Sequence, residues 1–152
     1  MHTLNKILFA TGCLILPITA ASAPADSGRR YIADAGNKRP LSQAVLVRDT
    51  LYVSGTLGTD KAGQVPADVK DEIKTALDNM KRTIENAGLK MDDLVTVQIF
   101  CTDLSLYDTF NEIYATYFHG NFPARAFLGT DKLLRGAHFE VMGIAVKSPP
   151  GK

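Results

Sequence analysis

Two charged residues in the C-terminal third of the chain stand among apolar neighbours. Arg125 lies in NFPARAFLGT (121–130), where the residues beside it are small or apolar. Glu140 lies in AHFEVMGIAV (137–146), a stretch that is apolar on both alternating faces. Arginine and glutamate are rarely buried without a partner, because an unpaired charge loses its hydration. Each of these residues therefore needs water, an opposite charge or a charged ligand.

These two residue types could together bind an anion and move a proton. The planar guanidinium of Arg125 matches a carboxylate through two parallel hydrogen bonds. Glu140, with little water nearby, could act on the same ligand as an acid or base. The alternative is a buried ion pair between Arg125 and Glu140 across a hairpin, which would only fix the register of two strands. The residues alone leave both interpretations open.

The strands that position these residues are indicated by alternating apolar residues. A hairpin turn is predicted at Arg48-Asp49-Thr50. Four predicted strands cover residues 31–33, 44–47, 51–54 and 94–101. A fifth begins at Arg125, and the last covers residues 138–147. One face of the fourth strand is expected to hold Val95, Val97, Ile99 and Cys101. Because the last strand is apolar on both faces, we expect it to be central and covered on each side.

Two helices are predicted from apolar residues that recur at spacings of three and four. Asp68 is the expected N-cap of the first, and Gly88 marks its end. The second is expected to begin near Ser105, in a capping-box-like pair with Asp108, and to end before Pro123. Its aromatic stripe is typical of a core-facing surface. The order of three strands, helix, strand, helix and two strands predicts an α+β fold, with both helices on one face of a mixed sheet.

The N-terminus has the three parts of a secretory signal peptide. A short basic start precedes an apolar run from Ile7 to Ile18, and Ala21-Ser22-Ala23 supplies the small residues for cleavage. The run is too short to span a membrane. We therefore predict a signal peptide over 1–23, cleavage after Ala23, a single domain over 24–152, and a periplasmic or secreted protein without stable membrane association.

Charge and cysteine content argue against several classes of function. The scattered charges form no basic stripe, so a nucleic-acid partner is not expected. Cys101 is the only cysteine of the predicted mature domain, and its apolar strand favours a core role over a nucleophilic one. No cysteine–histidine metal spacing is present, and neither a metal nor a cofactor is expected. Structural roles are expected for His119, as a cation at the end of the second helix, and for His138, at the start of a strand.

Six segments of the chain, in this order, carry a family resemblance: RPLSQAV (39–45), LYVSGTLG (51–58), ALDNMKRTIENAGL (76–89), VTVQIFCTDLSLYDTFNEIYATYF (95–118), FPARAF (122–127) and HFEVMGIAV (138–146). Together they resemble the Rid (YjgF) family of enamine/imine deaminases, also described as L-PSP endoribonucleases. The Pro-Ala-Arg motif followed by a glutamate in the last strand is the most specific feature. The resemblance implies a chorismate-mutase-like α+β fold, assembled as a homotrimer with pockets between subunits.

The resemblance also implies a role for each candidate site residue. Arg125 would bind the carboxylate of a 2-imino acid, and Glu140 would position and polarise the attacking water. Ser54 and Gly55 would help to hold the substrate through a hydroxyl and a backbone N–H. Asn111 matches an asparagine on the second helix of the family, where it would contact either the ligand or a structural hydrogen-bond partner.

Three residues depart from the family pattern. Leu41 stands where the family has a tyrosine that lines the pocket, and Thr56 stands where glutamine is frequent. Phe127 replaces a common cysteine two places after the arginine, at a position where the family uses the main-chain carbonyl. We expect Leu41 and Phe127 to make the substrate pocket more apolar, so the residues do not settle which imine is bound.

Three functions are therefore compared. The first is hydrolytic deamination of small 2-imino or enamine acids to 2-oxo acids and ammonia, by a secreted enzyme without metal or cofactor. The second is a trimeric small-carboxylate-binding protein that retains Arg125 but has no useful turnover, which Leu41 and Thr56 motivate. The third is an endoribonuclease. The predicted mature chain has no net positive charge, which argues against RNA as its substrate.

Overall fold

The computed structural model describes residues 28–33 and 38–148. The predicted signal peptide, residues 1–23, lies outside the described residues, as does the start of the predicted domain. In the described part of the chain, no helix is both long enough and apolar enough to cross a membrane.

The described residues form one six-stranded sheet and two helices. In chain order the elements are β1 (Arg29–Ile32), β2 (Ala44–Val47), β3 (Thr50–Leu57), α1 (Val69–Asn86), β4 (Leu94–Cys101), α2 (Tyr107–Ala115), β5 (Ala124–Gly129) and β6 (Phe139–Val146). The sheet order is β1-β2-β3-β6-β4-β5, and only β4 and β5 run parallel. The predicted α+β fold with a mixed sheet is confirmed.

Helix α1 begins and ends at the residues that its sequence predicts. The Asp68 carboxylate accepts hydrogen bonds from the backbone N–H of Lys70 at 2.8 Å and of Asp71 at 3.2 Å. These bonds satisfy donors that the first turn of a helix leaves unpaired. After the helix, Gly88 adopts a φ of 85°, which favours glycine. The apolar face of α1 packs on β3 and β6. These two strands also carry part of the candidate active site described below.

Helix α2 starts later than predicted, at Tyr107. Asp103 caps the turn before the helix, because its carboxylate accepts bonds from the Ser105 N–H at 2.9 Å and from the Ser105 hydroxyl at 2.7 Å. A short 3-10 turn over Leu104–Leu106 precedes the helix for this reason. The predicted capping pair of Ser105 with Asp108 is therefore wrong, because Asp103 already occupies the Ser105 hydroxyl.

Strand β4 also differs from its predicted face. Val97, Ile99 and Cys101 are buried against the helices as expected, but Val95 is 47% exposed. The register of β4 against β6 shifts between Leu94 and Thr96. This irregularity turns Leu94 inward in place of Val95.

The predicted hairpin of β5 and β6 is wrong, because β4 lies between these strands. β5 follows α2 and pairs parallel to β4, with Val97 opposite Arg125. A parallel partner reached through a helix is the usual result of a strand–helix–strand unit. β6 is instead antiparallel to both β3 and β4. It is central, as predicted.

Residues 28–33 and 38–148 cover only one face of β6. Phe139, Val141 and Ala145 are buried under the helices. On the opposite face Met142 and Ile144 remain partly exposed, and neighbouring Tyr52 is 49% exposed. The expected cover on both faces is therefore not supplied by the described residues. The open face is an apolar surface in the single chain.

We predict that Cys101 is chemically silent in the folded protein. Its side chain is fully buried, its Sγ donates to the Asp103 carbonyl oxygen at 3.0 Å, and burial raises the pKa of the thiol. Because the folded pKa of the thiol lies above its ordinary value, the neutral thiol stabilises the folded state. This contribution to the free energy of unfolding is fully present below about pH 9 and is lost as the pH rises further. In a Cys13→Ser variant, Ellman's reagent should label Cys101 only after denaturation. Rapid labelling of the native protein would contradict a core role.

Candidate active site

Glu140 lies near the start of β6 and points to the sheet face away from the helices. It stands opposite Leu57 of β3 and Phe100 of β4, whereas its neighbours Phe139 and Val141 are buried under the helices. The Glu140 side chain is half-buried. Among the residues that the structure describes, no side chain forms a hydrogen bond or ion pair with its carboxylate. Its oxygens are therefore available to a ligand or to water.

The carboxylate of Glu140 packs directly on the backbone of Gly55. A β-carbon built at Gly55 would lie 2.9 Å from the carboxyl carbon of Glu140, closer than such atoms approach in proteins. Gly55 belongs to an irregularity in β3, where the register against β6 shifts between Val53 and Thr56. The absence of a side chain at Gly55 thus creates the space in which the Glu140 carboxylate lies.

The hydroxyl groups of the two residues beside Gly55 donate to backbone carbonyl oxygens. The Ser54 hydroxyl donates to the Ser42 carbonyl oxygen at 2.7 Å, so its proton is used within the fold while its lone pairs can accept. The Thr56 hydroxyl donates to the Ser54 carbonyl oxygen at 3.0 Å. These two bonds hold the irregular segment of β3 in place beneath Glu140.

A cavity of about 1060 Å³ opens beside Glu140. Four predicted site residues line it, and we call them the glutamate half-site: Leu41, Ser54, Gly55 and Glu140. Four cationic side chains also line it, namely Arg39, Lys61, Arg82 and Arg135. Arg125, Phe127 and Asn111 are absent from its lining. The structure therefore separates the predicted site residues into two groups.

Arg125 lies on the helix-facing side of the sheet, opposite Val97. Its guanidinium carbon is 4.9 Å from the centroid of the Tyr114 ring, within the range of a cation–π contact. The guanidinium also donates to the Tyr107 hydroxyl at 3.4 Å. Among residues 28–33 and 38–148, no carboxylate is within ion-pair distance of Arg125. The aromatic rings thus hold the cation but do not neutralise it.

Phe127 contacts the same cation, and Asn111 lies on the helix that carries Tyr107 and Tyr114. The Phe127 ring meets Tyr107 edge to face at a centroid distance of 5.0 Å, and its centroid is 5.9 Å from the Arg125 guanidinium carbon. We call the following the arginine half-site: Arg125, Phe127, Asn111, Tyr107 and Tyr114. The aromatic stripe of the second helix predicts only a core role for Tyr114, and the sequence predicts no role for Tyr107. Their spacing of four and three residues from Asn111 places all three on one helical face.

Two buried polar atoms of the arginine half-site have no hydrogen-bond partner in the described part of the chain. They are Oδ1 of Asn111 and the hydroxyl of Tyr114, a residue only 3% exposed. Burial raises the pKa of Tyr114 to about 12, against the opposing influence of the Arg125 charge. The hydroxyl thus stays protonated near neutral pH. Buried polar groups are normally hydrogen-bonded, so these atoms mark a place where a ligand or water belongs.

The two half-sites cannot meet within one chain. Arg125 and Glu140 point to opposite faces of the sheet, and β4 separates their strands. Two strand spacings alone amount to about 9–10 Å. A buried ion pair between Arg125 and Glu140, the structural alternative raised by the sequence, is excluded in the single chain. Both charges remain unpaired among the described side chains.

The two histidines differ in their surroundings. α2 ends at Ala115, so the predicted role of His119 at the helix end is wrong. Instead, the His119 N–H donates to the Asp92 carboxylate at 3.0 Å and lowers the pKa of Asp92. His138 contacts the buried carboxylate of Glu72. Within the described residues, no cluster of three or more histidine, cysteine or carboxylate side chains could hold a metal ion.

Comparison with known proteins identifies close relatives of the whole described domain. The family model described as Endoribonuclease L-PSP matches residues 33–147. The chain is 44% identical over 110 residues to the 2-iminobutanoate/2-iminopropanoate deaminase of Rattus norvegicus, covering 71% of this chain and 80% of the relative. It is 40% identical over 126 residues to the human deaminase of the same name, covering 80% and 92%.

Solved structures agree with this relationship. The E. coli protein TdcF, solved with bound serine, superposes with a TM-score of 0.74 at 29% identity, covering 78% of this chain and 99% of TdcF. The E. coli YjgF gene product gives a TM-score of 0.70 at 34% identity, covering 78% and 94%. Family match, identity and fold lead to one conclusion: the chain belongs to the endoribonuclease L-PSP family, also known as the Rid or YjgF family.

Proposed function

We propose that the protein is an imine deaminase, which hydrolyses small 2-imino acids or their enamine tautomers to 2-oxo acids and ammonia. The observation that carries the proposal is that Arg125 and Glu140 are partly buried charges without an ion-pair partner among the described residues, so each is available to a ligand. Relatives at 40% and 44% identity are named 2-iminobutanoate/2-iminopropanoate deaminase. The reaction acts on a C=N bond and needs only water and side chains.

Arg125 binds the carboxylate of the substrate in this mechanism. Its fork of donors matches the two carboxylate oxygens, and the rings of Tyr107 and Tyr114 fix the plane of the guanidinium. The unpartnered Asn111 and Tyr114 atoms provide further polar contacts. The buried Tyr114 ring displaces water from one side of the guanidinium, which strengthens the interaction of the cation with the anion.

Glu140 acts on the water. As the water oxygen attacks the imine carbon, Glu140 accepts one proton from the water and passes it to the imine nitrogen, which gives a neutral carbinolamine. Glu140 then accepts the proton of the carbinolamine hydroxyl and passes it to the nitrogen, while the C–N bond breaks and the C=O bond forms. The products are a 2-oxo acid and ammonia, so one water is consumed for each C=N bond. A carboxyl group in contact with the reacting atoms suits both proton transfers.

We further propose that the site forms between chains of a homotrimer. The glutamate half-site of one chain would face the arginine half-site of its neighbour, which brings together groups that one chain keeps apart. The open apolar sheet face supports an assembly, because an exposed apolar surface of this kind usually marks an interaction site. Its exposed members include Tyr31, Tyr52 and Leu128.

The substrate is proposed to be a short, apolar 2-imino acid. Leu41 lines the glutamate half-site and Phe127 the arginine half-site, so both sides of the shared cleft offer apolar surface. Processing of residues 1–23 would place the enzyme in the periplasm or outside the cell. A pool of imines in that compartment would come from oxidation or elimination reactions of amino acids.

Replacing the two charges should affect different kinetic steps. For Arg125→Ala we expect kcat/KM to fall by about 100-fold or more, because the substrate carboxylate loses a desolvated, hydrogen-bonded partner. For Glu140→Gln we expect kcat to fall by about 10²–10⁴-fold, because the proton acceptor is removed at nearly constant volume. An amino-acid oxidase would generate the imines, with semicarbazide as the competing trap.

The controls are Arg29→Ala and Glu85→Gln, two exposed charges remote from either half-site. Both should retain the wild-type rate. If the wild-type protein hydrolyses no imine but a 2-oxo acid still binds through Arg125, the carboxylate-binding protein becomes the better interpretation. Salt-sensitive RNA cleavage by the wild type would instead favour the endoribonuclease.

A shared site also predicts complementation between two inactive variants. If Arg125→Ala and Glu140→Gln chains are unfolded together, mixed in equal amounts and refolded, about a quarter of the sites in a cyclic assembly receive both intact residues. Activity should therefore recover to about a quarter of the wild-type value per site. No recovery in trimers shown to contain both variants by mass spectrometry would refute a site shared between chains.

Gly55→Ala tests the contact that shapes the Glu140 environment. The added methyl group would occupy the place of the Glu140 carboxyl group and displace it. We expect kcat to fall by about 10- to 100-fold, as for a catalytic group moved by roughly 1 Å. Gly120→Ala is the matched control, because a β-carbon at Gly120 meets no atom within 4 Å. Equal kinetics for the two variants would show that Glu140 does not need this space.

A further inference from the structure

A carboxylate that the proposed reaction does not use is buried beneath the active site. Glu72, in the first turns of α1, is fully buried. Burying a carboxylate costs several kcal/mol unless hydrogen bonds replace its hydration. All the donors that Glu72 receives come from the start of β6: the His138 N–H at 2.6 Å, the Phe139 N–H at 3.0 Å and the His138 ring nitrogen Nδ1 at 2.7 Å.

These donors belong to the two residues that immediately precede Glu140. Pairing between β3 and β6 ends at the Leu57–Glu140 register pair, so the strand ladder does not hold His138 from that side. There, one carboxylate oxygen of Glu72 accepts hydrogen bonds from the backbone N–H groups of His138 and Phe139 and so fixes this backbone. Its second oxygen meets the His138 ring, whose side chain is half exposed.

The same helix also holds the opposite side of Glu140. The Asn79 amide donates to the Leu57 carbonyl oxygen at 3.1 Å and to the Thr59 carbonyl oxygen at 2.9 Å. Glu72 and Asn79 are seven residues apart, which is about two helical turns, so they lie on one face of α1. Through these two side chains α1 fixes both segments that flank Glu140.

Close packing locks Glu72 in this position. A β-carbon built at Gly58 would lie 2.7 Å from Cγ of Glu72, so the chain after β3 passes directly against the Glu72 stem. The stem has no room to turn away from β6. Glu140 itself has no side-chain hydrogen bond in the described part of the chain, so the position of its carboxylate depends on its backbone and on Gly55.

We propose that Glu72 is a positioning residue for Glu140. It holds the start of β6 so that the Glu140 carboxylate stays in line with the attacked carbon. This inference rests on the proposed deaminase function. A displacement of about 1 Å at a reacting group can reduce a rate by about 100-fold, whereas binding of the substrate carboxylate by Arg125 does not depend on Glu72. Loss of Glu72 should therefore lower kcat and leave KM largely unchanged.

The test compares Glu72→Ala with Glu72→Gln in the purified protein. Glutamine keeps the oxygen that accepts from both backbone N–H groups, and its amide can donate to a neutral His138 ring. We expect kcat to fall by about 10- to 100-fold in Glu72→Ala and to remain within about 3-fold of wild type in Glu72→Gln, with KM within about 3-fold in both. Glu85→Ala, an exposed glutamate on the same helix that pairs with Lys81, is the control and should match the wild type.

Amide hydrogen exchange supplies a readout that does not depend on activity. Exchange at His138 and Phe139 should accelerate in Glu72→Ala and stay slow in Glu72→Gln. Faster exchange in Glu72→Ala without a loss of kcat would show that Glu72 has only a structural role and would overturn the positioning role. Wild-type inactivity on imines would overturn the proposed function, and with it this role, whatever the exchange shows.

A second variant covers the case in which Glu72→Ala does not fold. His138→Leu removes only the ring donor at a half-exposed position and leaves both backbone bonds to Glu72 in place. We expect kcat to fall by about 3- to 10-fold with KM unchanged, because one oxygen of Glu72 loses its partner and the carboxylate is less firmly oriented. An unchanged kcat in His138→Leu would then overturn the proposal.

Discussion

The alternation of side chains along the sheet is the constraint on which the site depends. Neighbouring positions on β4 point to opposite faces, so Arg125, which pairs with Val97, and Glu140, which pairs with Phe100, are directed away from each other. A slip of one residue in either strand would bury Glu140 under the helices or expose Arg125 on the open face. The register therefore decides where each charge is offered to a ligand.

This separation also accounts for two charges that have no ion-pair partner in the described part of the fold. An arginine and a glutamate brought together would neutralise each other and would have little capacity left for a substrate. In this chain the cation is held by aromatic faces, chiefly that of Tyr114, and the carboxylate is held by its backbone and by contact with Gly55. Aromatic faces attract a cation without supplying a full opposite charge, so the affinity of Arg125 for an anion persists.

Features set by nearby residues could be predicted from the sequence. The ends of α1 follow from Asp68 and Gly88, whose effects on the helix are local, and the two helices follow from apolar spacing. The resemblance supplied the candidate site residues. The start of α2 was placed too early, because the choice of Asp103 over Asp108 as the partner of Ser105 depends on a 3-10 turn that no periodic pattern indicates.

Features set by distant pairing could not be predicted in the same way. Adjacent strands in the sequence suggested a β5–β6 hairpin, whereas the sheet inserts β4 between them. The irregularity near Leu94 reversed the face of Val95, and it depends on the register against β6. Glu72 lies in the first turn of α1, where an acidic side chain also suits the positive end of the helix dipole. Its burial against His138 became visible only when the start of β6 was placed beside α1.

The arrangement around Glu140 shows how a carboxylate can be ordered without being neutralised. A side chain held by its own hydrogen bonds would have fewer lone pairs left for water. Here the hydrogen bonds are made to neighbouring backbone: Glu72 accepts from the N–H groups of His138 and Phe139, and Asn79 donates to the carbonyl oxygen of Leu57, which lies opposite Glu140. The rigidity is supplied by main chain and helix, and the oxygens of Glu140 stay open. Preorganisation of this kind places a group for reaction while leaving its proton-transfer capacity intact.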